Sequence, residues 1–124
     1  MTDTNKQKIL DYEPEALTLG DLVHIRSVHG DKPLYIIRDE VLTYKDAETR
    51  SNEVANSLIK LGIKKGDVVA TFMYNCVSQA LIWFGCAKIG AIYAPLNVSL
   101  ERDDLAYSLN DTGATIIVLE EELA

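Results

Sequence analysis

The stretch from Cys86 to Asn97 constrains the fold of this chain more than any other part of the sequence. It passes from an apolar helical segment, through Gly90, into a short apolar run that ends at Pro95. Lys88 suits the negative pole of a helix dipole, and glycine readily adopts the left-handed conformation that closes a last helical turn. Because proline has no backbone donor, it ends a strand ladder. The stretch therefore predicts a helix that leads directly into a buried strand at 91–94.

Similar patterns on both sides of this joint predict an α/β fold. Residues 68–73 form a nearly continuous apolar run, as expected of a strand covered on both faces, and an apolar helix is predicted at about 78–89. Ser99 is predicted to cap a polar helix that runs to about Asn110, and 115–119 is a third buried strand. Strand, helix, strand, helix and strand in close succession predict a parallel βαβαβ sheet with flanking helices.

A small helix and a β-hairpin are predicted before the sheet. Thr18 can cap the helix because Asp21 follows three residues later. An apolar stripe on this helix is predicted to face inward, and it consists of Leu22, Ile25 and either Val28 or His29. Residues 34–38 and 41–44 flank an acidic pair at 39–40, which predicts a hairpin with its turn at that pair.

A second capping box begins a longer helix directly after the hairpin. Thr43 is the predicted cap with Asp46 three residues on, and Gly62 ends the helix. Apolar residues at helical spacing form its predicted buried face, namely Ala47, Val54, Ala55, Leu58 and Ile59. Residues 1–17 are polar and predict a loosely ordered lead, so 18–124 make up the folded portion.

Composition excludes several classes of function. The chain has 124 residues and a net charge of -7, which disfavours nucleic acid and anionic membranes as partners. Its longest apolar run, at 80–87, is too short to cross a bilayer. Cys76 and Cys86 match no zinc or redox spacing and are predicted to be free thiols. The start of the chain does not resemble a secretion signal, so a cytoplasmic location is predicted.

The segment 62–67 superficially resembles a phosphate-binding loop because two glycines enclose Lys64 and Lys65. A phosphate loop, however, follows a strand and opens a helix, so that the helix N-terminal amides point at the anion. This segment follows a helix and enters a strand. It is therefore predicted to be a helix stop and a solvated turn.

Polar residues follow the predicted strands, at the edge where open α/β sheets usually bind ligands. Asn75 and Asn97 could bind a polar group there, but turn positions are the favoured interpretation. Residues 120–122, all glutamate, could ligate a metal ion, yet acids at a helix start already complement the helix dipole.

The sequence predicts no catalytic or metal site built on histidine or cysteine. His24 and His29 are predicted to lie on different faces of the first helix, which disfavours a metal pair, and neither has a readable nucleophile nearby. Cys76 lacks an evident partner base. The sequence therefore predicts no catalytic, cofactor-binding or metal-ligating residue in this chain.

Several motifs nevertheless resemble the adenylate-forming (AMP-forming) acyl-CoA synthetase and ligase superfamily. Residues 42–46 read Leu-Thr-Tyr-Lys-Asp, with Ala47 where the superfamily usually has leucine, and residues 61–69 read Leu-Gly-Ile-Lys-Lys-Gly-Asp-Val-Val. Residues 75–76 and then 83–91, Trp-Phe-Gly-Cys-Ala-Lys-Ile-Gly-Ala, are most similar to the branch that acts on fatty acids or carnitine-type acids. The resemblance runs from about residue 17 to the end.

The resemblance implies the N-terminal scaffold of a larger lobe in a ligase, in particular a long-chain fatty acid–CoA ligase. Such an enzyme joins a carboxylic acid to coenzyme A with ATP and Mg²⁺ through an acyl-adenylate, and the groups for this chemistry lie downstream of the matched region. The isolated chain is therefore expected to bind none of these cofactors and to be inactive.

Two further hypotheses concern the chain as a piece of a longer polypeptide. An uncovered strand edge could lead it to self-associate. The alternative function is a stand-alone α/β protein-interaction module without catalysis. A phosphoacceptor receiver is disfavoured because Asp67 precedes its strand instead of following it.

Overall fold

A computed structural model describes residues 18–124, and the predicted lead at 1–17 lies outside the described residues. Its α-helices are α1 (Leu19–Arg26), α2 (Tyr44–Lys60), α3 (Val77–Ile89) and α4 (Arg102–Thr112). The strands are β1 (Pro33–Ile37), β2 (Glu40–Thr43), β3 (Val68–Phe72), β4 (Ile92–Pro95) and β5 (Ile116–Leu119). Single 3₁₀ turns follow α1 at Ser27–His29 and β5 at Glu121–Leu123.

The sheet confirms the predicted parallel βαβαβ arrangement. Its order is β4-β3-β5, with Val69 of the central strand opposite Tyr93 and Ile116. The central strand is buried on both faces, as its continuous apolar run predicted. The prediction of a buried β5 is wrong, because its residues are only half-buried and Leu119 is exposed. As an outer strand of the described sheet, β5 has a neighbour on one side only.

The hairpin is present, but its turn lies one residue earlier than predicted. Ile37 pairs with Glu40, so the turn residues are Arg38 and Asp39, and Arg38 has a φ of 55°. Moving the turn by one residue slides the strand pairing by two positions, so each side chain keeps its face of the hairpin. The observed register keeps Leu42 fully buried in the core.

Helix α1 has the predicted cap but not the predicted buried face. The Asp21 backbone N–H donates to the Thr18 hydroxyl at 3.0 Å, which confirms the cap. Leu22 is 39% exposed and Val28 is 81% exposed, however, while Gly20 and Val23 are buried. A Cβ at Gly20 would lie 3.2 Å from the Cα of Lys88 on α3. The close approach of two backbones, and not the apolar stripe, therefore orients this helix.

Helix α2 begins at the predicted capping box and packs mainly against α3. The Asp46 N–H donates to the Thr43 hydroxyl at 3.1 Å. Ala47, Ala55 and Leu58 are buried as predicted, whereas Ile59 is 54% exposed. The fully buried Ser51 takes a place on this face, and its hydroxyl donates to the Glu48 carbonyl at 3.2 Å. A small residue with an internally satisfied hydroxyl allows the two helices to pack closely.

The helix-to-strand joint after α3 is confirmed, but the prediction that its strand is buried is wrong, because Ile92 is 53% exposed on the outer strand β4. The start of α4 also differs from the prediction. Gly90 adopts the left-handed conformation with φ 74°, and the Ala91 N–H donates to the Cys86 carbonyl at 3.0 Å. Ser99 is not the cap of α4, because its backbone N–H donates to the Asn97 side-chain oxygen at 2.9 Å in a preceding turn. Glu101 precedes the helix instead, without a side-chain capping bond.

Candidate functional site

Two of the residues that follow the strands at the carboxyl edge of the sheet accept hydrogen bonds from backbone amides. The Tyr74 backbone N–H donates to the Glu120 carboxylate at 2.7 Å, which ties the end of β3 to the end of β5. Asn97 accepts the Ser99 bond described above, while Asn75 is exposed and is one of the residues that line a groove described below. Within residues 18–124, no three His, Cys, Asp or Glu side chains are placed to hold one metal ion.

The loop between α2 and β3 does not fit a phosphate group. The Lys64 N–H donates to the Asp67 carboxylate at 2.7 Å, so an anion already occupies one amide of this loop. The Gly66 N–H donates to the Gly90 carbonyl at 2.9 Å, which joins the loop to the end of α3. The loop also leads from a helix into a strand, as predicted. It is a structural connection between α2 and β3.

A cluster of polar side chains that the sequence did not reveal joins three helices. Glu48 on α2 accepts from the Lys88 amine on α3 at 2.7 Å and contacts His24 Nδ1 on α1 at 2.9 Å. The Asn52 amide donates to the same carboxylate at 3.2 Å. The side chains of Lys88 and Glu48 are only 12% and 17% exposed. We call these four residues the Glu48 cluster.

The Glu48 cluster favours the charged form of its central carboxylate. Burial raises the pKa of Glu48, but hydrogen bonds from Lys88, His24 and Asn52 outweigh this effect, so its pKa lies below the ordinary value. Lys88 lies in the last turn of α3, where a cation complements the helix dipole, and it also connects that helix to α2. His29 lies apart from the cluster and packs edge-on against Tyr44, with ring centroids 5.0 Å apart.

A row of aromatic rings separates two concave regions. Phe84 lies at the centre, stacked on Tyr35 at 6.2 Å and on Trp83 at 5.5 Å, and Trp83 in turn stacks on Tyr93 at 6.4 Å. On one side, an apolar cavity of about 250 Å³ lies beneath α1. On the other side, a groove of about 520 Å³ lies between β1, the start of α3 and β4. Trp83 lines both regions and is 41% exposed.

Comparison with known proteins identifies the family. Residues 24–124 match the family described as AMP-binding enzyme. The chain belongs to this family. Its sequence is 38% identical over 93 residues to long-chain fatty acid transport protein 2 of Rattus norvegicus, which covers 74% of this chain and 15% of that protein. It is 35% identical over 103 residues to a crotonobetaine/carnitine–CoA ligase of Citrobacter koseri, covering 79% of this chain and 20% of the relative.

The fold is also that of the N-terminal lobe of adenylate-forming ligases. A fatty acyl CoA synthetase of Mycobacterium tuberculosis superimposes with a TM-score of 0.79 and 28% identity, covering 86% of this chain and 22% of that one. The chain therefore spans about a fifth or less of the length of these curated relatives. None of the helices in residues 18–124 combines the length and apolar character needed to cross a bilayer.

The motifs that carry the family resemblance have structural roles in the described residues. The motif at 42–46 ends β2 and caps α2, and the motif at 61–69 connects α2 to β3. The motif at 83–91 packs α3 against α2 and the sheet and then closes at Gly90. Each motif lies at a junction between consecutive elements, so the spacing of the motifs reflects the lengths of the elements between them.

The two cysteines are free, as predicted, and differ in their surroundings. Cys86 is fully buried, and burial raises the pKa of its thiol to about 11. Cys76 is half-buried before the first turn of α3, with its sulfur 3.9 Å from that of Met73. Thiolate formation at neutral pH is therefore disfavoured at Cys86.

We expect Ellman's reagent at pH 8 to modify Cys76 at least about tenfold faster than Cys86, because reaction at Cys86 requires opening of the core. One equivalent should react quickly, and the second only after urea is added. Cys76→Ser should abolish the fast phase, while Cys86→Ala should preserve it. Simultaneous reaction of both thiols in folded protein would contradict the buried position of Cys86.

Proposed function

We propose that this chain is the N-terminal scaffold of an ATP-dependent, AMP-forming acyl-CoA ligase whose substrate is a long-chain fatty acid. The family match over residues 24–124 carries the proposal. The fatty-acid branch is supported by the names of two relatives, a long-chain fatty acid transport protein and a fatty acyl CoA synthetase. The complete enzyme would consume ATP and coenzyme A, with Mg²⁺, in the cytoplasm.

In this proposal, residues 18–124 supply packing and not chemistry. The described side chains are joined to one another in the Glu48 cluster, in the α2–β3 loop and at the sheet edge. Lys64 and Lys65 lie in the α2–β3 loop, where the backbone amides of Lys64 and Gly66 already donate hydrogen bonds within the protein. The acyl-adenylate chemistry would therefore depend on residues beyond this chain.

The isolated chain should release no pyrophosphate above background when it is incubated with ATP, Mg²⁺, coenzyme A and palmitate. A chimera tests the scaffold role directly. In it, residues 18–124 replace the equivalent segment of the M. tuberculosis fatty acyl CoA synthetase, with which they share the fold. We expect the chimera to form palmitoyl-CoA, because the recipient supplies the catalytic groups.

Two results would contradict the proposal: turnover by the purified isolated chain, or a folded chimera that binds ATP but forms no acyl-adenylate. A chimera with Gly85→Val is the matched control, because this change should disrupt the scaffold alone. Decanoate and carnitine should be compared with palmitate in the active chimera. This comparison shows whether the inserted segment alters the recipient's preference.

We also propose that the isolated chain self-associates through its outer strands. Ile92 and Leu119 are exposed on β4 and β5, the two outer strands of the described sheet. Because the chain carries a net charge of -7, association should strengthen as salt screens the repulsion between copies. Light scattering at rising protein concentration should show a dimer, more abundant at about 0.5 M than at 0.05 M salt. A monomeric mass under both conditions would contradict this proposal.

A further inference from the structure

The cavity beneath α1 has room for an aromatic side chain. Its lining is apolar and aromatic except for Arg26, and it includes Tyr44 and Phe84. The volume of about 250 Å³ exceeds the roughly 150 Å³ of an apolar protein cavity that holds a benzene ring. Two large side chains of the lining remain open to solvent, since Leu22 is 39% exposed and Trp83 is 41% exposed. Further apolar contact could therefore be made here.

The sequence directly before α1 contains side chains that fit this cavity. Residues 9–17 read Ile-Leu-Asp-Tyr-Glu-Pro-Glu-Ala-Leu, so the polar lead includes several aliphatic side chains and the ring of Tyr12. A tyrosine ring buries a large apolar area, while its hydroxyl can stay at a polar boundary. Tyr12 is the only aromatic residue at 1–17. It therefore suits an apolar cavity whose walls are partly exposed.

The segment can reach the cavity because it joins α1 beside the lining. Thr18 caps α1, and the next residue, Leu19, already lines the cavity. The eight residues of α1 span about 12 Å. Six residue steps separate Tyr12 from Thr18, and they can span up to about 20 Å. Tyr12 can therefore reach the whole length of α1 without any rearrangement of residues 18–124.

Charge favours the same placement. Arg26 is the only charged residue among the described residues that line the cavity, and it ends α1. The 12 Å from Thr18 to Arg26 equals about four residues of extended chain, a separation that matches Glu13 and Glu15. Arg26 already takes part in an interaction within the chain. Its guanidinium has five N–H donors, however, so it can bind a carboxylate in addition.

A tethered segment is favoured over a second copy of the chain. A tether of this length holds its segment at a high effective concentration. Two copies that each carry a net charge of -7 repel one another. The segment of the same chain therefore has the advantage at low salt.

We propose that residues 9–17 fold back along α1 and insert the ring of Tyr12 into this cavity, with Glu13 or Glu15 paired to Arg26. Only Gly20 and Val23 of α1 are buried among residues 18–124, so the added contact should stabilise this helix in particular. The predicted loose order would then apply to residues 1–8. This interface goes beyond the proposed function, because it requires neither ATP nor turnover.

Nuclear Overhauser effects in the 124-residue chain test the contact directly. Trp83 is the only tryptophan and lines the cavity, so its indole protons can be assigned without ambiguity. We expect cross-peaks from the Tyr12 ring to the indole of Trp83 or to the methyl groups of Val23. A sample mixed from labelled and unlabelled chains separates contacts within one chain from contacts between copies. Cross-peaks only between copies, or none from Tyr12 to the lining, would overturn the proposal.

Tyr12→Ala measures how much the contact stabilises α1. Hydrogen exchange at the Val23 amide should become at least about fivefold faster, because the helix opens more often. Tyr107→Ala is the matched control, since Tyr107 is 70% exposed on α4, and it should change this rate less than about twofold. Exchange at Val69 in the central strand should be the same in both variants, which shows that the fold is retained. Equal acceleration at Val23 in both variants would contradict the contact.

Reversal of the segment charge tests the pairing with Arg26. A variant with both Glu13→Lys and Glu15→Lys should exchange at Val23 at least about threefold faster at about 0.05 M salt, and the difference should shrink at about 0.5 M. A control with Thr2→Lys and Thr4→Lys adds cations before the segment and should have less than about a twofold effect. Equal effects of the two variants would overturn the pairing. The chimera contains only residues 18–124, so failure of this contact and failure of the proposed function are distinguishable.

Discussion

Gly85→Val is expected to destabilise the chain by about 3 kcal/mol, because it overpacks the contact between α2 and α3. A Cβ at Gly85 would lie 2.7 Å from Cγ1 of Val54 and 3.3 Å from the backbone nitrogen of Ala55. Valine side chains are stiff at χ1, and the Ala55 atom belongs to a helix backbone, so neither neighbour moves easily. Urea denaturation followed by circular dichroism measures the loss.

A double-mutant cycle separates this clash from the effect of valine on the helix itself. Gly85→Ala should cost less than Gly85→Val, because alanine adds one carbon and favours the helix by about 1 kcal/mol over glycine. Val54→Ala removes the nearest atom and should partly rescue Gly85→Ala, with a coupling of at least about 0.5 kcal/mol. Ser78→Val, on the exposed side of the same helix, is the matched control. Equal losses in Ser78→Val and Gly85→Val would contradict the close approach.

Lys88→Met is expected to destabilise the chain by about 2 kcal/mol at pH 7, because it leaves the Glu48 carboxylate without its cation. Methionine keeps the apolar stem of lysine, so the loss reports on charge. Removal of one member of a well-buried pair costs about 3–5 kcal/mol, and the partial exposure of Glu48 reduces that figure. His24 and Asn52 still contact the carboxylate and limit the loss further.

The lowered pKa of Glu48 determines how the loss of stability in Lys88→Met varies with pH. The pKa of Glu48 is lowered in the folded chain, so its contribution to stability is present above the ordinary value of 4.5 and is lost as the pH falls through the folded pKa. Lys88→Met removes a cause of that lowering, so its deficit should be largest at neutral pH and should shrink below about pH 4. Adding Glu48→Gln should recover part of the stability at pH 7. A deficit that is independent of pH would contradict the assigned ion pair.

Features that depend on neighbouring residues could be predicted from the sequence. The caps at Thr18 and Thr43 each require a hydroxyl and a backbone N–H three residues away, and both bonds are present. Gly90 closes α3 because its own backbone adopts the left-handed conformation. The reverse direction of the α2–β3 loop, which excludes a phosphate loop, also follows from the order of the elements.

Features that depend on distant residues could not be predicted in the same way. The prediction of the inward face of α1 was wrong because Gly20 contacts α3, and a glycine does not contribute to an apolar pattern in the sequence. The prediction of the hairpin turn was wrong by one residue, because the acidic pair does not specify how Ile37 and Glu40 pair across the two strands. Ser99 did not cap α4 because Asn97 accepts its amide in a turn. In each case a local pattern allowed two outcomes, and packing selected one.

The sequence by itself determined the order of the elements, the parallel central sheet and the family, because periodicity, caps and motif spacing act over short distances along the chain. Only the tertiary structure decided which side chains meet. It brought Lys88 to Glu48, forty positions earlier, and it placed Trp83 and Arg38 around one groove. A helical or strand pattern specifies which face is buried, but the partner across that face depends on how whole elements pack.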